Sequence, residues 1–280
     1  MMRYSGCALW LIMLMVVNCG VHKERQIPEK RVKCVSLVPS VTEIIFAIGA
    51  EDMLVGTTNQ CDFPPAAKEK TKVGDFQSPD IERIVSLKPD VVFATQPIHQ
   101  RLIERLAEFK VQVYVSNPAD VEGVFAEIES VGVILRRTKE AERLVAALRR
   151  RLDSLPTFSY KPKVYVEISM APLMSVGQGV FINDIISRAG GQNIFQHLNI
   201  PYPVVDPEAV VQENPDVILL LHPLANKDEL KKRVGWSNIN AVLSGRIYTG
   251  LDEDLFFRPG PRVVDGVILL ARILHPERFR

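Results

Sequence analysis

From residue 31 onward, short apolar runs alternate with amphipathic stretches. The runs at 32–37, 53–57, 91–95 and 111–116 are rich in β-branched residues and apolar on both faces. That pattern predicts parallel strands covered by helices on both sides. Helical spacing falls between and after them, at 41–48, 80–87, 100–109 and 121–135. The alternation predicts an α/β lobe. The rhythm breaks at 138, where one helical pattern runs to 155 with apolar positions Ala141, Leu144, Val145, Leu148, Leu152 and Leu155. Thr138 is its expected N-cap, and Pro156 stops it. At 1.5 Å per residue such a helix is about 27 Å long. A second α/β series follows, with strands at 163–168, 217–221 and 246–249 and helices at 180–189, 207–212, 227–234 and 263–274.

The two series repeat one another. Asp80-Ile81-Glu82 and Pro89-Asp90-Val91 recur as Asp206-Pro207-Glu208 and Pro215-Asp216-Val217, at a constant offset of 126. Thr42-Glu43-Ile44-Ile45 with Gly49 recurs as Asn183-Asp184-Ile185-Ile186 with Gly190. Each copy reads as a polar cap, an acidic first turn and a terminal glycine. The expected fold is therefore α/β: two similar lobes with mainly parallel sheets covered by helices, joined by one long backbone helix. The expected boundaries are 31–137, 138–156 for the helix, and 157–280. A cleft between two lobes is a favoured place for a small molecule.

The residues ahead of the first lobe read as a targeting segment. Arg3 is a positive start, and Cys7 to Val17 is almost wholly apolar but short for a membrane span, which takes about 20 residues. Val16-Val17-Asn18-Cys19 resembles a bacterial lipobox, with Asn18 where a small residue is usual. Residues 1–18 are thus expected to be a signal peptide, Cys19 a lipid attachment point, and 19–30 a tether. Plain cleavage and an uncleaved anchor are the alternatives. The protein would then be exported, periplasmic or at the cell surface.

Composition narrows the functional classes. The 280 residues are 47% hydrophobic and 24% charged, with a formal net charge of +1. Such balance gives no concentrated basic surface for nucleic acid. Arg149, Arg150 and Arg151 fall on the solvated face of the long helix. Cys34 and Cys61 are expected at opposite ends of neighbouring strands, too far apart for a disulfide. The histidines His22, His99, His197, His222 and His275 lack zinc-ligand spacing, so no metal site is expected. One of His99, His197 and His222 could still cap a metal in a bound ligand. Gly177-Gln178-Gly179 lacks the third glycine of a dinucleotide fingerprint. No phosphate-binding loop, nucleophile elbow or Cys–His motif is present, so the chain reads as no enzyme and needs no cofactor. A metal-chelating enzyme is the remote alternative.

Several short segments stand out along the chain. They are Ser36-Leu37-Val38-Pro39-Ser40 with Thr42-Glu43, Cys61-Asp62-Phe63-Pro64-Pro65, Val73-Gly74-Asp75-Phe76, and Ile81-Glu82-Arg83-Ile84 with Leu87-Lys88-Pro89-Asp90. Gly190-Gly191-Gln192-Asn193-Ile194-Phe195 and Arg258-Pro259-Gly260-Pro261-Arg262 complete the set. In this order and over this length they resemble the class III substrate-binding proteins of cobalamin and iron–siderophore ABC importers; the resemblance covers essentially all of 31–280 and is nearest to the cobalamin binders. It implies two lobes braced by a backbone helix, little hinge motion, and a monomer that serves a permease dimer with its ATPase subunits. The implied cargo is a corrinoid such as cobalamin, with an iron–siderophore or haem as the alternative.

The resemblance also assigns residues. Phe76 and Tyr202 fall where cobalamin binders have tryptophans, and Asp254 and Arg258 on an Asp and an Arg that face the ligand. Gln60 stands in place of a Tyr, Thr95 in place of a Trp, and Leu255 in place of a Trp, so the expected site is less aromatic. Each lost ring forgoes about 0.5–1.5 kcal/mol beyond its buried area. Glu82 and Glu208 fall on the glutamates that dock on permease arginines. Plainer roles compete: loop packing for the two aromatics, a local ion pair for Asp254 and Arg258, helix-dipole compensation for the two glutamates. Arg262 reads as scaffold.

Overall fold

The computed structural model describes residues 31–279. The signal segment, Cys19 and the tether lie outside the described residues. The first lobe runs through β1 (Cys34–Ser36), α1 (Pro39–Ala47), β2 (Leu54–Thr57), α2 (Ile81–Ser86), β3 (Val91–Thr95), α3 (Gln100–Glu108), β4 (Gln112–Ser116) and α4 (Val121–Ile134). The backbone helix α5 (Thr138–Asp153) follows. The second lobe then runs through β5 (Lys163–Glu167), β6 (Ser169–Met170), β7 (Leu173–Met174), α6 (Phe181–Arg188), β8 (Gln192–Asn193), α7 (Pro207–Glu213) and β9 (Val217–Leu220). It closes with α8 (Lys227–Lys231), α9 (Asn240–Leu243), β10 (Ile247–Tyr248), α10 (Asp254–Phe257) and α11 (Val263–Leu274).

The internal repeat is structural. The first sheet has the order β2-β1-β3-β4 and the second, read from its other end, β8-β5-β9-β10, all parallel. Asp80 and Asp206 both cap their helices, accepting from the amides of Glu82 and Glu208 at 3.0 and 2.9 Å. Asp90 accepts the amide of Lys33, just before β1, and Asp216 that of Lys163, the first residue of β5, both at 2.9 Å. Gly49 and Gly190 each follow a helix with φ of 66° and 79°, conformations that favour glycine.

Several details depart from the sequence reading. Thr42 and Asn183 are not caps. Pro39 at the first position starts α1 earlier, Val180 precedes α6, and the Thr42 hydroxyl donates to the Ser36 hydroxyl at 2.9 Å. Thr138 is the first helical residue of α5, with Arg137 in the cap position and no side-chain cap. The helix expected over 227–234 ends at Lys231, and the strand expected over 246–249 shrinks to two residues. The hairpin β6–β7, the short strand β8 and the helices α9 and α10 carry too little periodicity to be seen in sequence.

Strand alternation divides the core. Val91, Phe93, Val164, Val166, Val217 and Leu219 face one cluster shared by both sheets and by α1, α4, α5, α6 and α11. Val92 and Ala94 face a separate cluster with α2 and α3. Tyr165, Ile218 and Leu220 face another around Trp236. α5 contributes Ala141, Val145 and Leu148 to the shared core and leaves Arg149–Arg151 in solvent. The described residues from Val32 onward accordingly form one compact unit.

Glu127 is set into α4 with a buried Oε2 that has no hydrogen-bond partner. Burial pushes its carboxyl up to about 7, against an opposing hydrogen bond from Ser116. A carboxyl raised on folding stabilises below its unfolded pKa, and this contribution disappears as pH rises through about 7. Glu127→Gln should abolish that loss. Relative to the parent it should gain on the order of 3 kcal/mol on going from about pH 5 to about pH 8.5, read by urea unfolding.

Candidate functional site

In a parallel α/β sheet, ligands gather at the C-terminal edge of the strands. That edge of the first lobe carries Gln60 beyond β2, Phe76 before α2, and Thr95 at the end of β3. The structure joins them through His99, a residue to which the sequence reading gave no such part. The Thr95 amide donates to His99 Nδ1 at 3.1 Å. The ring proton therefore sits on Nε2 and donates to the Phe76 carbonyl at 2.5 Å. The two rings meet edge-on, 5.1 Å between centroids. Burial lowers the pKa of His99, which keeps this neutral form. Gln60 Oε1 accepts the Phe76 amide at 2.7 Å, so both backbone polar groups of Phe76 are held and its half-buried ring is fixed in place. Gln60 and Thr95 act here through Phe76, where a Tyr and a Trp would have offered rings.

Tyr202 makes none of these contacts. It lies in the second lobe between β8 and α7, the counterpart of the place Phe76 takes between β2 and α2. Its strand-like segment is held by hydrogen bonds from the amides of Ser175 and Gly177 to the carbonyls of Pro203 and Pro201, at 3.0 and 2.9 Å. Gly177 is required there, since a Cβ would stand 2.1 Å from the Ile200 carbonyl oxygen. Ile200, Tyr202 and Val204 alternate along the segment and are all more than half exposed.

Asp254 and Arg258 belong to a larger array than a local pair. Arg258 Nε meets Asp254 Oδ1 at 2.8 Å, and its Nη1 crosses to Asp62 of the first lobe at 2.7 Å. Beside it, Arg262 forks onto Glu43 of α1 through two hydrogen bonds of 2.8 and 2.7 Å, and also reaches Asp252 at 3.2 Å. Its guanidinium covers the Phe63 ring at 4.0 Å. Gly260 lies between these arginines against Ser40, where an added Cβ would touch at 3.4 Å. The Glu43 side chain is 3% exposed and those of Arg258 and Arg262 are 16% and 15%. Burial pushes the Glu43 carboxyl upward, while Glu43 holds the Arg262 guanidinium protonated. Sequence reasoning quoted Glu43, Asp62 and Phe63 within motifs but assigned them no part; their partners lie some 200 residues away and leave no local signal.

A second buried carboxylate, Glu167 at the end of β5, takes both Arg233 nitrogens at 2.6 and 2.8 Å, His222 Nε2 at 3.2 Å and the Tyr165 hydroxyl at 3.3 Å. Among the described residues, no cluster of His, Cys, Asp and Glu is arranged to hold a metal, and no helix is long and apolar enough to cross a membrane. Cys34 and Cys61 are free thiols, both buried. Glu82 and Glu208 are exposed and enter no ion pair among the described residues.

Comparison with known proteins gives the family. Residues 34–253 match the periplasmic binding protein family. The chain is 33% identical over 275 residues to an uncharacterized ABC transporter substrate-binding lipoprotein of Bacillus subtilis, covering 94% of this chain and 86% of the relative. It is 30% identical over 245 residues to a vitamin B12-binding protein of Vibrio cholerae, covering 86% and 87%. A solved structure of a possible iron-binding, periplasmic solute-binding protein from Staphylococcus epidermidis aligns with a TM-score of 0.78 at 27% identity, covering 88% of this chain and all of that one. The chain belongs to the periplasmic binding protein family, and it is a substrate-binding protein of ABC transport.

The buried fork between Glu43 and Arg262 yields a stability test. Arg262→Met should cost about 3 kcal/mol in urea unfolding, because it leaves a desolvated carboxylate with only Arg258 nearby. Glu43→Gln with Arg262→Met should recover most of that loss.

Proposed function

We propose that the protein captures a corrinoid such as cobalamin between its lobes and delivers it to an ABC permease. One observation carries the choice of ligand class. Four carboxylates (Glu43, Asp62, Asp252 and Asp254) crowd two guanidinium groups, Arg258 and Arg262, where the lobes meet. Within the ion-paired array itself carboxylates outnumber guanidinium groups, so it offers hydrogen-bond acceptors and disfavours anions, with Lys68 and Lys72 behind Asp62 the next cations. A corrin ring is flat and edged with amides, which donate to carboxylates. Ferric catecholates and the propionates of haem are anionic and meet repulsion. Phe76 and Tyr202, at matching places in the two lobes, supply the ring faces for a flat ligand. The vitamin B12-binding relative is in accord, and the iron-binding structural relative names the competing cargo.

Purified protein should co-elute on gel filtration with cyanocobalamin, and not with haemin or ferric siderophores. Phe76→Ala and Tyr202→Ala should each weaken cyanocobalamin binding by about 1–3 kcal/mol in calorimetry, with folding intact. Co-elution with an iron chelate instead would overturn the corrinoid reading and keep the scaffold. Two mutants that bind like the parent would move the cleft elsewhere.

The same reading extends to the partner and the membrane. Cys19 is the proposed lipid attachment, and Glu82 and Glu208 the proposed contacts to the permease. Each glutamate stands exposed in the first turn of a capped helix, one per lobe. A pseudo-twofold protein offers one such peg to each subunit of a twofold partner, and paired charges set orientation and encounter rate more than affinity. Glu82→Arg with Glu208→Arg should abolish transport and ATPase stimulation in vesicles at unchanged cyanocobalamin affinity. Uptake at the parent rate, or loss of ligand binding, would sink this assignment.

A further inference from the structure

The loop after β2 carries Gln60, Asp62 and Phe63, which hold Phe76, Arg258 and Arg262. Its root is closed around Lys72. Residues 71–74 run beside the end of β2, with Val73 donating to the Thr57 carbonyl and Asn59 to that of Gly74, both at 2.9 Å. From there the Lys72 ammonium enters the loop and meets four oxygens: Thr57 Oγ1 at 3.1 Å and the carbonyls of Thr58, Cys61 and Ala67 at 3.2, 3.1 and 3.1 Å. All four of those residues are buried. No carboxylate is among the partners. An ammonium has three N–H donors, so four oxygens at nearly equal distance are held by its charge as well as by hydrogen bonds. Converging backbone carbonyls repel one another unless a cation lies between them, which is the arrangement that strips water from potassium in protein filters. Burial lowers the Lys72 pKa, the cost of setting an ammonium in such a cage.

We infer that Lys72 is a positioning residue whose ammonium is a tethered monovalent cation, organising the loop that carries Gln60, Asp62 and Phe63 at the lobe junction. A lysine in this role makes the loop independent of ambient salt. Without it, the cage should accept potassium or ammonium, which match the spacing, and reject choline, which is too large. The link to ligand binding rests on the corrinoid reading; the state of the loop does not.

Cys61 provides a ligand-free reporter. Its thiol is fully buried in the loop, 3.2 Å from the Thr58 hydroxyl and 3.8 Å from the Ser36 carbonyl. Cys34, in β1 and with its thiol pushed up to about 12 by burial, is the internal control. The full-length protein and its Lys72→Met variant, which keeps the aliphatic stem, are alkylated with iodoacetamide, and each cysteine is quantified by peptide mass spectrometry. In choline chloride the variant should label Cys61 at least about tenfold faster than the parent, equivalent to about 1.4 kcal/mol in loop opening. Potassium or ammonium chloride should restore protection in the variant and change nothing in the parent. If the variant is unfolded in choline, potassium or ammonium should restore cooperative melting. Parent-like protection in choline would overturn the proposal, as would rapid labelling or unfolding that neither cation reverses. Cyanocobalamin affinity measured in the same salts should follow Cys61 protection. A protected loop without corrinoid binding would refute the ligand and leave the role of Lys72 standing.

Discussion

The arrangement of the lobes depends on one buried interaction, the fork between Glu43 in the first lobe and Arg262 in the second. A carboxylate at 3% exposure is costly to desolvate, and only a partner held in good geometry offsets the cost. Arg262 meets that condition because both ends of the pair are fixed. Glu43 lies in α1, started by Pro39 and packed by Ile44 and Ile45, and Arg262 immediately precedes α11. An apolar pair would tolerate slippage between the lobes, whereas two directed hydrogen bonds set their register. The neighbouring Arg258–Asp62 bond and the Phe63 face under Arg262 extend the same junction toward the loop edges.

How much of this was legible in the sequence follows from the range of the forces. Strand β3 and helix α11 are read to the residue, since their apolar periodicity is local and strong. The repeat was legible because Asp80 and Asp206 cap their own helices, and Asp90 and Asp216 each hold a backbone amide at a neighbouring strand's start, work that demands the same residue twice. Thr138 and Thr42 misled for a related reason. A hydroxyl near a helix start is a good cap only when the backbone turns there, and Arg137 and Pro39 decide otherwise. The site was legible only as types of residue. That Gln60 holds Phe76 directly, and Thr95 through His99, depends on the loops after β2 and β3 converging, which no spacing announces.

Charge and shape at the lobe junction pull in one direction. Every guanidinium there is already met by carboxylates, and so is Arg233 by Glu167 deeper in the second lobe. Both junction guanidinium groups are engaged in holding the scaffold, with four carboxylates around them. A protein built to hold an anionic chelate must leave some positive charge unpaired, because a paired guanidinium has little field left to offer. The described junction does the reverse.

The shared core sets the limit on motion. Val91 and Phe93 of one sheet and Val164, Val166, Val217 and Leu219 of the other bury into a single cluster with α4, α5 and α11. Opening the lobes widely would tear that cluster, at roughly 25 cal/mol for each Å² of apolar surface exposed. A hinge of the clam-shell kind therefore has no cheap coordinate here. On the proposed reading, adaptation to a ligand is left to what lies outside the core, the loops at the C-terminal edges that carry the half-buried Phe76 and the exposed Tyr202. The fold thus separates its tasks: the apolar core and the Glu43–Arg262 fork hold two nearly fixed walls, and on the proposed reading the loops between them decide what fits.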